Sequence, residues 1–170
     1  MDYPLTLICG LQEQLDERII RERKLNEDEL LPYKLTAFAV EICELQNELP
    51  ETFKFWSNKK NNLKRALEEY VDGLCFLVSI GLELKRDLNR MLVIMKPDSD
   101  DITDLISELL GHITFMRNCK RNELVDGVYY DLLFEGYMNL GELIGFSWGQ
   151  IERAYFEKNQ INNKRQDEGY

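Results

Sequence analysis

Histidine is nearly absent from this chain, with only His112 among 170 residues. That excludes histidine-rich zinc sites and leaves little from which to build a Ser-His-Asp hydrolase. Cysteine is sparse too. Cys9, Cys43, Cys75 and Cys119 are the four present, and no two form a CxxC pair, so no zinc ribbon is readable. Reduced thiols in a cytoplasm are the expectation, with Cys43 and Cys75 read as small buried hydrophobes of apolar helix stretches. No apolar run approaches the ~20 residues of a membrane span. The start, MDYPLTLICG, soon turns charged at Glu13, Asp16 and Glu17, which is unlike a secretory leader. The four prolines and ten glycines stand singly, so no linker is visible and one domain covering 1–170 is expected. Positive charge is in the minority, with 21 basic against 31 acidic side chains and a net charge of -10. This balance argues against nucleic acid polymers and anionic membranes as partners. Phosphate-cradling loops are missing as well, since neither GxxxxGK[ST] nor GxGxxG occurs.

What the chain has is helical periodicity over a hydrophobic content of 44%. Ile8, Leu11, Leu15 and Ile19 mark one helix face, with Pro4 suited to its first turn. A second helix runs from Leu35 through Phe38, Ile42, Leu45 and Leu49 to a stop at Pro50. A third carries Leu63, Leu67, Tyr70, Leu74, Leu77, Val78 and Leu84 and must end before Lys96-Pro97. Asp98 or Ser99 can cap a fourth, carrying Ile102, Leu105, Leu109, Ile113 and Met116. A fifth holds Tyr129, Leu132, Leu133, Leu140, Leu143 and Ile144 and closes at Gly145. Ser147 and Gln150 form a capping box that opens a short sixth helix. A polar tail follows from about Asn159. No strand-like alternation appears. The predicted fold is all-α, a helical bundle with a four-helix core.

Carboxylates are the chemical feature. Glu41, Glu44 and Glu48 are spaced by three and four, so they share a helix face. Glu69 and Asp72 do the same on the third helix, with Glu68 beside them. Each group borders an apolar stripe, where unpaired charge is costly and like charges repel. A hard divalent cation removes both problems, and oxygen-only ligation suits Mg²⁺ or Mn²⁺. Helical glutamates ordinarily just line a solvated face. Two pairs on consecutive long helices favour a metal site instead. A di-iron carboxylate bundle would need an ExxH on each of two helices, but Leu109 stands where His112 would need its glutamate.

With no phosphate loop, a nucleotide would have to be held by metal and by side-chain cations. Lys59 and Lys60 follow FKFWSN, and Lys158, Lys164 and Arg165 lie within KNQINNKRQ. The same tail carries Asn159, Asn162, Asn163, Gln166 and the terminal Tyr170. Amides beside cations can read a base and its phosphates, and Trp56 offers a stacking face.

These pieces resemble the all-α, dimeric-type dUTPases of bacteria, their phages and kinetoplastids, within the MazG-like nucleotide pyrophosphatases. The matching segments are LQEQLDERI, EICELQNE, FKFWSNKK, LEEYVDGLCFLVSIGLEL and GFSWGQIERAYFEKNQINNKRQDEGY. They span most of the chain outside 96–135. The ExxE and ExxD pairs are common to the whole group, whereas FKFWS and the KNxxNxxRQxxGY tail are more specific.

The resemblance implies Mg²⁺-dependent hydrolysis of dUTP to dUMP and pyrophosphate, with attack of a metal-activated water at the β-phosphorus, by a cytoplasmic homodimer. Mn²⁺ is a plausible substitute. By position, Glu41, Glu44, Glu69 and Asp72 correspond to the metal ligands. Glu44 would orient or deprotonate the water, and Glu48 would assist. Gln12 corresponds to a residue facing uracil, with Asp16 one turn on, and Trp56 to the aromatic of the nucleoside pocket. Lys59, Lys158 and Arg165 would contact phosphate, and Asn159, Asn162 and Tyr170 the nucleotide. Some relatives carry histidine where this chain has Cys75. Use of dUDP stays open. So do two other readings, a pyrophosphatase for another nucleotide such as dCTP and a non-catalytic helical interaction protein.

Overall fold

The computed structural model describes residues 4–88, 101–118 and 123–169, and among these the regular structure is entirely helical. Helix α1 spans Thr6–Arg23, α2 Leu31–Asn47, α3 Leu63–Glu83, α4 Ile102–Asn118, α5 Glu123–Ile144 and α6 Trp148–Asp167. Pro4 stands just ahead of the first turn of α1 rather than within it. Helix α2 begins one turn earlier than Leu35. Pro32 occupies its first turn, where the missing N–H costs nothing, and Leu31 is already buried. Asn62 caps α3 by accepting from the Arg65 backbone N–H. At its far end Lys85 takes a left-handed φ of 54°. The proposed caps Asp98 and Ser99 lie outside the described residues. Gly145 ends α5 at φ 97°, a conformation that glycine adopts without strain.

The sixth helix is not short. Its capping box is formed as expected, but the helix runs 20 residues and takes in the polar stretch from Asn159 to Asp167. Polar composition concealed its partners. Arg18 of α1 donates to the Asn163 carbonyl and pairs with Asp167 at 2.8 Å. The Asn163 amide also reaches back to Asn159, four residues earlier.

Helix α3 is the hub. It packs against α1, α2, α5 and α6, while α4 bridges α5 and α2. Its buried face includes Tyr70, Leu74, Leu77 and Val78 against Phe38, Ile42 and Leu45 of α2. Cys43 departs from expectation. At 100° per residue it falls on the same side as Val40, away from Phe38 and Ile42, and is exposed. Cys75 and Cys9 are buried as free thiols, and Cys119 lies outside the described residues. Among the described residues no helix is long and apolar enough to cross a membrane.

The contact between α3 and α5 is set by reciprocal tyrosines. The rings of Tyr70 and Tyr137 stack at 4.6 Å and 4°. Tyr70 donates to the Tyr137 carbonyl at 3.1 Å, and Tyr137 donates to the Tyr70 carbonyl at 2.8 Å. Each hydroxyl rests on a glycine of the opposite helix. A Cβ on Gly73 would stand 2.1 Å from the Tyr137 hydroxyl, and one on Gly141 2.6 Å from that of Tyr70. Both phenols are fully buried, so losing either bond would strand a polar group. Gly73→Ala should therefore destabilise the fold by about 1–3 kcal/mol, read as a lowered denaturant midpoint with an unchanged slope.

Candidate active site

Helices α2 and α3 run side by side and bring three carboxylates together. Single oxygens of Glu41, Glu69 and Asp72 all lie within 4.8 Å of one another. Glu69 is 7% exposed, and Glu41 and Asp72 are half-buried. Such crowding of like charge is unfavourable in a partly dry setting. Two of the three have protein cations. Lys158 of α6 reaches Asp72 at 2.5 Å, and Arg65, one turn ahead on α3, reaches Glu69 at 2.8 Å. Among the described residues Glu41 has no such partner, and its carboxyl is raised to about 7, first by burial and then by the charges of Asp72, Glu44 and Glu69. Burial also raises Glu69 and Asp72, outweighing Arg65 and Lys158. The second oxygen of Asp72 is buried without a hydrogen-bond partner. An oxygen-only donor set with an uncompensated acid and an unsatisfied acceptor fits a hard divalent cation such as Mg²⁺ or Mn²⁺.

Glu44 is exposed and stands outside this trio, yet its charge raises all three members. Glu48, one turn further on α2, is half-buried. Its carbonyl accepts from the Asn62 N–H, which ties the entry of α3 to the end of α2.

A cleft of ≈ 450 Å³ opens beside the acids, walled by α1, α2, α3 and α6. Glu41 and Asp72 line one part of it, and Leu15, Ile19, Ile20 and Leu25 form an apolar wall. Of the residues singled out from the sequence, Gln12, Asp16, Lys158, Asn162 and Arg165 also line it. Lys158, Asn162 and Arg165 are spaced by four and three, so α6 turns one cationic face to the cleft. Asn159 is buried rather than lining, and its Nδ2 has no hydrogen-bond partner. Cys75 lines the cleft, and burial raises its thiol far above the ordinary range, so it stays neutral there.

Two residues are not brought to this cleft. Trp56 is 67% exposed, set edge-on to Phe55, and Lys59 is exposed on the same connection between α2 and α3. Neither lines the cleft. Tyr170 lies outside the described residues. Conversely, Lys34, Phe76 and Ser79 line the cleft without having been singled out. Helical spacing carried a signal for two of them. Lys34 stands seven residues before Glu41, and Ser79 seven after Asp72, two turns along the same face in each case. Lys34 pairs with Glu83 at 2.9 Å and approaches Asp16 at 3.7 Å.

A protein-family model described as dUTPase matches residues 4–170. No curated protein and no solved structure matches the chain.

The raised acid has a consequence for stability. A carboxyl that titrates higher in the folded protein than in the unfolded chain favours folding below about 4.5, and this advantage is lost as pH rises through about 7. In chelator, wild-type protein should lose stability relative to Glu41→Gln between pH 5 and pH 8, measured as the difference in their denaturation midpoints. Added Mg²⁺ should raise the wild-type midpoint more at pH 8 than at pH 6, because protons and cation compete for the same oxygens.

Proposed function

Since this chain belongs to the all-α dUTPase family and hydrolyses dUTP, we propose that its reaction is Mg²⁺-dependent, yields dUMP and pyrophosphate, and runs where the acids of α2 and α3 border the cleft. The observation that carries this reading is the position of Glu41 and Asp72. Both belong to the carboxylate trio and both line the cleft that also presents Lys158 and Arg165. Acids alone would repel a triphosphate, and cations alone would not explain the trio.

Glu41, Glu69 and Asp72, joined by Glu44, would hold the ion. When bound, Mg²⁺ neutralises phosphate charge and makes a water more acidic. Glu44 is exposed beside the trio, free to orient the attacking water and accept its proton. Glu48, on the same face one turn on, provides a further acceptor. The water oxygen bonds to phosphorus as the bridge between the α- and β-phosphates breaks, and the bridging electron pair leaves with its oxygen. Lys158 and Arg165 meet the phosphates from α6 and stabilise the charge that develops. Lys158 is the cation most directly coupled to the acids. Lys158 is now paired with Asp72, and with that acid compensated by a cation its ammonium would be available to a phosphate. Gln12 and Asp16 on α1 face the base, Asn162 borders the nucleotide, and the Asn159 Nδ2, whose oxygen is already taken by Asn163, supplies a buried donor. Trp56 and Lys59, which face solvent, are not needed for this reading. A homodimer in the cytoplasm belongs to the same proposal, supported by the family resemblance.

Purified protein should release pyrophosphate from dUTP with Mg²⁺ or Mn²⁺ and not in chelator. Glu44→Gln should lower kcat by roughly 10²–10⁴-fold, with a smaller loss in Glu48→Gln. A panel of dUTP, dUDP, dCTP and dTTP tests the substrate. A preference for dCTP, or full activity in Glu44→Gln, would overturn the reading.

A further inference from the structure

Gln12 lines the cleft but is only 5% exposed, and its amide is held at both ends. Its Nε2 donates to Asp16 Oδ1 at 2.8 Å. Its Oε1 accepts from the Tyr155 hydroxyl at 2.9 Å. Asp16 Oδ2 in turn accepts a short hydrogen bond from the Ser79 hydroxyl. The four side chains belong to three helices, α6, α1 and α3. A carboxylate can only accept, so the nitrogen of Gln12 must be the atom that faces Asp16. The oxygen is thereby turned to Tyr155. The Tyr155 phenol is 0% exposed, and burial raises its titration far above the ordinary range, so it remains a donor.

We propose that Tyr155 and Ser79 are positioning residues for base selection, acting through the orientation they impose on Gln12. This rests on the assignment of Gln12 to the base of dUTP. With one N–H spent on Asp16, Gln12 has a second N–H with no partner among the described residues. A remaining donor suits the carbonyl at C4 of uracil and confronts the amino group at the same position of cytosine, which is itself a donor. The Tyr155 hydroxyl meanwhile occupies the Gln12 oxygen, the atom that would otherwise accept from that amino group. Ser79 holds the Asp16 carboxylate against rotation and so keeps the nitrogen end in place. A site built on a buried, oriented amide rejects the wrong base because a polar group would be left unpaired.

The test is kcat and KM for dUTP and dCTP in wild type, Tyr155→Phe and Ser79→Ala, with melting temperature measured alongside. Tyr155→Phe should lower the dUTP-over-dCTP ratio of kcat/KM roughly tenfold, the scale of one hydrogen bond, with the change carried by KM rather than kcat. Ser79→Ala should move the ratio in the same direction, and it carries the test if the tyrosine variant folds poorly. Loss of stability alone would scale both substrates together and leave the ratio untouched. Wild-type preference for dUTP with an unchanged ratio in both variants overturns the positioning role. Wild-type preference for dCTP overturns the base assignment itself, and this inference with it.

Discussion

The constraint on which the molecule turns is the meeting of Glu41, Glu69 and Asp72 at the seam of α2 and α3. Three acids within 4.8 Å of one another at the edge of a core are tolerated only with cations close by. Lys158 and Arg65 are those cations in the protein alone, and each dictates a piece of architecture. Arg65 belongs to the first turn of α3, so the capping of that helix by Asn62 also sets the partner of Glu69. Lys158 comes from α6, so the last helix must pack along α3 for the acids to be balanced at all. The cleft exists because these helices converge on the acids.

The helices were largely legible, since the apolar spacings of α1, α3, α4 and α5 mark the faces that pack, apart from Leu63 and Leu132, which are exposed. What could not be read was where polar stretches stop. Helix α6 extends to Asp167 through partners supplied by Arg18, some 150 residues away in sequence, and a polar composition at that range looks like a loose tail. Cys43 shows a similar limit. It stands in a stretch with Val40, Ile42 and Leu45, but its angular position is outward. Residue type suggested burial, and helical phase decided against it.

Within the candidate site, the acids were legible because their spacing is itself the geometry. Lys158, Asn162 and Arg165 stood out as cations and an amide of one polar stretch, Gln12 and Asp16 came from resemblance, and the fold gathers all five around one cleft. Lys34 and Ser79 went unnoticed because a lone lysine or serine on a helix is unremarkable until a neighbouring face has been assigned. Trp56 illustrates the converse. An aromatic among lysines suggests a stacking surface, but nothing in the local sequence says which way a connection between two helices will turn it, and it faces solvent.

The crossed tyrosines bear on how this family can vary. Tyr70 and Tyr137 each bond to the other's backbone, and Gly73 and Gly141 are the spaces they fill. The four positions therefore behave as one heritable unit. A larger residue at either glycine is admissible only where the facing tyrosine has been replaced by something shorter, so substitutions here should travel in pairs across lineages. Because Asp72 sits directly before Gly73 on the chain, drift at this junction would be felt at the acids.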